Sequence, residues 1–281
     1  MRQLLREQHP DLSELTLGES VEGWDNLVFR LGDELAVRLP RRAASAELIE
    51  NEQRWLPQLA RHLPVPIPAP IRIGSPGCGF PWRWSVVPWF AGETALGASQ
   101  LDATTTARTI AQFLRALHRP APPEAPANPW RGVPLADRTG LLHRGLEQLE
   151  GRVDRTAILD AWEHALSAAP WRGPRLWIHG DLHPANLLIE RGQVSAVIDF
   201  GDLTAGDPAT DLSVAWMLLP PSQRSIFRAT CRAPRDQVDD ATWTRARGWA
   251  LALGVSYLSA SHDDDPLAAL GQQTIESALR E

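Results

Sequence analysis

The chain has 281 residues and a mass of 31.0 kDa, which is room for about two domains or lobes with a buried core and no disulfide staple. Apolar residues make up 43% and charged residues 22%, a balance that excludes a disordered chain. A net charge of −6 and a pI near 5.8 repel a polyanion, so nucleic acid is not expected as a partner.

All 28 basic side chains are arginine, so any task usually given to lysine falls to arginine or histidine. Cys78 and Cys231 form no CxxC pair and support neither a zinc knuckle nor a disulfide framework. The run MRQLLREQHPDL lacks the long apolar core of a secretory signal, and Trp249 to Leu258 is too short to cross a bilayer. A soluble, cytoplasmic chain with no membrane partner is expected.

Leu27 to Leu31 and Glu34 to Leu39 read as two strands joined by a tight Gly32-Asp33 turn. On the second strand Leu35, Val37 and Leu39 share one face, and Ala36 and Arg38 share the other. The spacing predicts a helix from Ala46 to His62 with Leu48, Trp55, Leu56, Leu59 and Leu63 as its apolar stripe. Glu52 falls inside that stripe, where an unpaired carboxylate is costly. Either it pairs with a cation, Arg38 being the nearest candidate, or it lies at the stripe's edge in water. Pro64 to Pro70 is extended, and Ile71 to Ile73 pairs as a strand with Arg83 to Val87. Pro88 and Gly92 bracket a connector, Trp89-Phe90-Ala91, which places a lobe boundary near residue 90 and divides the chain into 1–90 and 91–281.

Beyond the connector, a helix capped by Asp102 or Thr104 buries Ile110, Phe113, Leu114 and Leu117 and closes at His118. Pro120 to Pro134 reads as a long surface loop. Helical patterns follow over 141–149, 157–168, 208–231 and 240–260, and Asp265-Pro266 starts a last helix. A strand-rich first third and a mainly helical remainder imply an α+β fold of two unequal lobes. The cleft between them suits a small molecule.

Residues 176–212, LWIHGDLHPANLLIERGQVSAVIDFGDLTAGDPATDL, carry the chemistry. Leu187 to Ile189 and Val194 to Ile198 form a hairpin, with Asp181 and Asn186 before it and Asp199 after it. The hairpin returns the chain to its starting end, so Asn186 and Asp199 face each other across its mouth. An amide oxygen and a carboxylate are hard ligands that suit Mg²⁺ and leave room for phosphate oxygens and water. Asp181 stays available to orient a hydroxyl. Together these are the parts of a phosphoryl-transfer site.

HGDLHPAN followed by IDFGD resembles the catalytic loop and DFG segment of the protein-kinase fold. The HGD form, the GDPATDL continuation and the FLRALH helix (Phe113 to His118) are more similar to aminoglycoside phosphotransferases and their choline-kinase-like relatives. The resemblance implies a two-lobed protein-kinase-like fold with a small β-rich N-lobe and a larger, mainly helical C-lobe. It implies ATP or GTP as donor, Asp181 as the catalytic base or the residue orienting the acceptor hydroxyl, and Asn186 and Asp199 as Mg²⁺ ligands. His183 takes the place of a kinase lysine near the transferred phosphate, its other reading being a solvated loop histidine. His179 braces the loop, and Asp211 matches a buried aspartate that ties it down. Arg38 stands where the family carries a phosphate-binding lysine, with Glu52 as its helix partner. Gly23-Trp24-Asp25-Asn26 lies where a nucleotide-covering loop belongs, and backbone groups of Val87 to Trp89 are expected at adenine.

The resemblance implies a small-molecule hydroxyl acceptor. An aminoglycoside or macrolide antibiotic leads, with an amino alcohol or sugar as the alternative. The acidic run Asp263 to Asp265 reads as a capped, solvated turn rather than a pocket for a cationic antibiotic, and Asp202 and Asp207 read as solvated loop acids. A metal-dependent hydrolase built on alternating His179, Asp181 and His183 is a weaker reading, as is a nucleotide-binding pseudoenzyme without the lysine.

Overall fold

In the computed structural model, which describes residues 1–232, 238–262 and 264–280, the first third of the chain builds a five-stranded antiparallel sheet. Its strands are β1 (Leu17–Glu22), β2 (Asn26–Leu31), β3 (Leu35–Pro40), β4 (Arg72–Gly74) and β5 (Trp84–Pro88), in the order β1-β2-β3-β5-β4. The β2–β3 turn is longer than predicted. Leu31 opposes Leu35, so Gly32, Asp33 and Glu34 all lie in the turn, and Gly32 takes a φ of 62° that glycine adopts without a Cβ penalty.

The alternation read in β3 sorts its side chains between two environments. Val37 and Leu39 join Leu31, Trp84 and Val86 in a small core that Leu4 and Leu5 of α1 (Arg2–Gln8) complete. Ala36 and Arg38 line the cleft between the lobes instead. Helix α2 (Ala43–Leu59) begins ahead of the predicted Ala46 and tightens into a 3₁₀ turn over Ala60–His62.

The larger lobe holds β6 (Glu93–Thr94), β7 (Leu176–Ile178), β8 (Leu187–Glu190), β9 (Gln193–Val197) and β10 (Thr204–Gly206). Strands β6, β8 and β9 form one small sheet, and β7 pairs with β10. Arg191 and Gly192, with φ of 53° and 78°, make the tight β8–β9 turn that keeps both ends of this hairpin together. Its helices are α3 (Ala103–Leu117), α4 (Thr139–Gln148), α5 (Arg155–Ser167), α6 (Ala209–Leu212), α7 (Val214–Leu218), α8 (Pro221–Arg232), α9 (Asp240–Ala260) and α10 (Pro266–Leu279).

The helical region predicted over 208–231 holds three helices. Chain leaves α7 at an extended Leu219, and Pro220-Pro221 cannot continue the helical bonding. Asp102 caps α3 by accepting from the N–H groups of Thr104 and Thr105. Asp265 caps α10 through Leu267 N–H, which engages it locally; Asp263 of the same acidic run lies outside the described residues. Most of the tryptophan is core: Trp84, Trp162, Trp216 and Trp249 are fully buried, whereas Trp24, Trp89 and Trp130 are exposed. Among the described residues no helix is long and apolar enough to cross a membrane.

Candidate active site

The loop from β7 to β8 is held from beneath by Asp211. Its carboxylate, fully buried, accepts from His179 N–H (2.8 Å) and Gly180 N–H (2.9 Å) and lies 3.0 Å from His118 Nε2. The His179 ring also acts as a brace. Its Nδ1 accepts from Asp181 N–H (3.2 Å), so Nε2 carries the proton and donates to Ile198 O (3.0 Å). Gly180 has φ of 87°, and a Cβ there would stand 2.3 Å from Asp202 O, so only glycine fits between loop and strand end. His179, Asp181 and His183 therefore lie on a bent loop and not along one strand face, which removes the geometric basis of the hydrolase reading.

Asn186 closes the same loop. Its Nδ2 donates to Asp181 O (2.8 Å), while its backbone carbonyl accepts from Ile198 N–H (2.9 Å). The carboxamide is thereby anchored by its nitrogen end, one residue away from Asp199. Asp199 has φ of 62°, a left-handed conformation that costs a non-glycine residue on the order of 1–3 kcal/mol. Its exposed carboxylate lines the cleft and, among the described residues, receives only a long 3.5 Å contact from Gly201 N–H. An amide oxygen and a loosely held carboxylate on neighbouring backbone fit a Mg²⁺ ion, which takes hard oxygens and keeps positions for water and phosphate.

Asp181 is gripped on both oxygens. Oδ2 lies 3.3 Å from His183 Nε2; Oδ1 accepts from Arg131 Nη2 (3.0 Å) and Tyr257 OH (3.3 Å). Burial by itself would raise this carboxyl, but His183, Arg131 and His179 outweigh it and hold Asp181 well below the usual carboxylate range. Burial and Asp181 push the Tyr257 phenol well above its ordinary value, so it remains a donor. His183 is buried, accepts Ala185 N–H on Nδ1 and packs edge-on against Tyr257, which rules out the solvated reading.

Arg131 and Tyr257 are not legible in the sequence as site residues. Arg131 comes from the proline-rich segment before α4, predicted as surface loop but folded inward. Its Gly132 N–H meets Thr210 Oγ1, and Asp207 N–H meets Gly132 O. Arg131 Nε also lies 3.2 Å from Asp202 Oδ2, and Asn128 Nδ2 donates to Asp202 Oδ1 (2.7 Å). Neither loop acid is solvated as expected. Asp202 is half-buried, with its carboxyl raised mainly by burial, and Asp207 is buried in a two-point pair with Arg245 (2.7 and 3.1 Å).

Across the cleft, a cavity of about 350 Å³ is lined by Gly23, Asn26, Arg38, Val87, Trp89 and Asp199. Glu52 does not line it but anchors Arg38 through two contacts, Nη1–Oε2 (2.6 Å) and Nη2–Oε1 (3.1 Å). Burial weakens the charge on Arg38, yet the carboxylates of Glu52 and Asp199 more than offset it and hold the guanidinium above its ordinary range. The Gly23–Asn26 turn is fastened by Arg41, which donates to Gly23 O (2.8 Å), and by Arg42 and Ser45, which both reach Asp25. Trp89 N–H donates to Glu34 O (2.7 Å), so that one donor of the Val87–Trp89 segment serves the sheet.

A family model described as the APH phosphotransferase enzyme family matches residues 19–249. The chain belongs to the APH phosphotransferase family. Viomycin phosphotransferase of Streptomyces vinaceus is 37% identical over 100 residues, which are 34% of this chain and 32% of that protein. The uncharacterized protein YcbJ of Bacillus subtilis (strain 168) is 26% identical over 189 residues, 62% of this chain and 60% of its own. The match thus spans about a third of one of these curated relatives and about three fifths of the other. Among solved structures, the GDP complex of aminoglycoside 2'-phosphotransferase-IIIa has a TM-score of 0.66 at 20% identity, covering 99% of this chain and 97% of that one. The apoenzyme of macrolide 2'-phosphotransferase MphH from Brachybacterium faecium has a TM-score of 0.62 at 22% identity, covering 94% and 92%. This APH-family chain therefore has the two-lobed kinase-like fold, with a small antiparallel N-lobe and a mostly helical C-lobe.

Proposed function

We propose that the chain transfers the γ-phosphoryl group of ATP or GTP to a hydroxyl of a small molecule. The observation that carries the reading is Asp181. An ionised carboxylate is gripped at both oxygens on a loop whose other end, Asn186, is bonded to the backbone beside Asp199. The N-lobe, residues 1–90, would bind the donor: Arg38 grips phosphate oxygens, the Gly23–Asn26 turn covers them, and Val87 to Trp89 border the base. Asn186 and Asp199 would hold Mg²⁺, which when bound neutralises phosphate charge. Asp181 accepts the hydrogen bond of the acceptor hydroxyl and aims its oxygen at the γ-phosphorus. A carboxylate with so low an affinity for protons is a weak base, so it orients first and takes the proton late. His183, Arg131 and Tyr257 keep it in place.

Neighbouring structures are complexes with GDP and with ATP, which supports a nucleotide donor. Relatives named for viomycin, aminoglycosides and macrolides support an antibiotic acceptor, with an amino alcohol or sugar as the alternative. This reading places the protein in the cytoplasm, where the donor is found. The test is a phosphorylation screen of antibiotics, amino alcohols and sugars with MgATP and MgGTP, with Asp181→Ala as control. Acceptor-dependent release of nucleoside diphosphate that disappears in the variant is expected; nucleotide binding with no transfer to any acceptor would instead favour a pseudoenzyme.

A further inference from the structure

We infer that the acceptor carries a carboxylate, which Arg138 takes in a cavity beside Asp181; this rests on the transfer reaction proposed above. Arg138 ends the 3₁₀ turn Leu135–Arg138 that leads into α4, and only 4% of it is exposed. Its guanidinium lies over the rings of Trp130 (6.0 Å) and Trp249 (5.7 Å). Its Nε is buried without a hydrogen-bond partner, and among the described residues no carboxylate reaches ion-pair distance. A buried guanidinium in this position is costly until an anion meets it. Burial, and then the neighbouring charge of Arg131, push its pKa down to about 10.

Arg138 lines a cavity of about 270 Å³ together with Trp130, Arg131, Leu141 and Asp202. Arg131 joins this cavity to the catalytic carboxylate, since its Nη2 is 3.0 Å from Asp181. A compact acceptor with its hydroxyl at Asp181 and its body along Arg131 would set its far end at Arg138. The exposed ring of Trp130 offers an apolar wall for the carbon skeleton.

Charge decides the class of that far end. Asp181 and Asp202 share Arg131, and Asp207 is paired with Arg245. Arg138 has no acid at ion-pair distance among the described residues, so an amine-rich acceptor meets repulsion at that end. The planar fork of one guanidinium matches one carboxylate in shape and in charge. A phosphomonoester dianion would leave half its charge unmatched.

The test uses the purified full chain with MgATP and matched acceptor pairs: glucuronate and glucose, gluconate and glucitol, glycerate and glycerol, with kanamycin as the polycation. Acids are expected to exceed their neutral partners in kcat/KM by at least about tenfold, the range of a hydrogen bond to a charged group. Arg138→Gln should lower kcat/KM for the acids by about 10- to 100-fold, through KM, and erase the preference. Arg138→Lys, which keeps a charge between the two tryptophans, should retain part of it. Kanamycin or neutral acceptors phosphorylated as readily as the acids, or a preference that survives in a nucleotide-binding Arg138→Gln, overturn the carboxylate assignment and leave the phosphotransferase reading standing. If no acceptor is phosphorylated by nucleotide-bound protein, that reading fails, and calorimetry with the three acids decides the anion site separately. Binding to the wild-type chain that Arg138→Gln loses upholds it, and no binding to the wild-type chain overturns it.

Discussion

In the proposed reaction Asp181 enters as an anion because His183, Arg131 and His179 outweigh its burial, and its replacement separates chemistry from binding. Asp181→Asn should lower kcat by about 10²- to 10⁴-fold while the nucleotide Kd, read by calorimetry, stays within a few-fold. A variant that keeps a tenth of wild-type turnover would remove Asp181 from the chemistry. Asp199→Ala should have the opposite profile: MgATP affinity falls sharply while metal-free nucleotide binding changes little, and equal losses with and without Mg²⁺ would contradict its proposed role. Asp181, Asn186 and Asp199 could be picked out by eye because they fall within one stretch whose spacing is set by a loop and a hairpin. Arg131 and Tyr257 reach the same carboxylate from 50 and 76 positions away. A lone arginine among prolines and a tyrosine near the end of an apolar helix look like a surface residue and a core residue, and only tertiary packing brings them to Asp181.

At the scale of elements, buried and exposed ionic contacts do different things. Arg245 of α9 meets both oxygens of buried Asp207, and Oδ1 also accepts Ala209 N–H at the start of α6. Arg245→Met strands that carboxylate and should cost roughly 3–5 kcal/mol in urea unfolding; a loss under 1 kcal/mol would mean that Asp207 is neutral or rehydrated. Asp239 at the start of α9 works at the surface. Hydrogen bonds from Thr242, above all from its hydroxyl, hold the Asp239 carboxyl below its usual range against a small burial effect. A depressed folded value means that the cap stabilises above the ordinary carboxylate range and is lost as pH falls through that lower value. Asp239→Ala should therefore destabilise the neutral protein by about 1 kcal/mol, and the gap to wild type should narrow in acid. The same helix explains an uneven legibility. Caps such as Asp102 and Asp265 are local chemistry and can be read directly, whereas α9 is buried on most sides and shows no stripe. Pro220-Pro221, where α8 follows α7, is local chemistry of the same readable kind.

For the molecule as a whole, the apolar interior divides into two clusters. The smaller rests on Leu4, Leu5, Leu31, Val37, Leu39, Trp84 and Val86 of the N-lobe, while the far larger one fills the C-lobe and also takes in Trp55, Leu56, Val65 and Ile67. Amides of β1 and β2 should exchange hydrogen faster than those of α9, and MgATP should slow them by joining the Gly23–Asn26 turn to Arg38 and Asp199. Uniform protection of both lobes by the nucleotide would point to a different binding mode. The order of strands and helices was enough to predict two lobes and a cleft, but not the charge inside it, because that depends on which arginines fold inward. The cation fixed in the proposed donor cleft, Arg38, is a guanidinium that stays protonated, and no residue of the 281 is a lysine. Acyl-phosphate nucleotide probes, which tag kinases by forming an amide with a side-chain amine, would find no such nucleophile here, so a survey that depends on them would miss this protein however well it binds ATP.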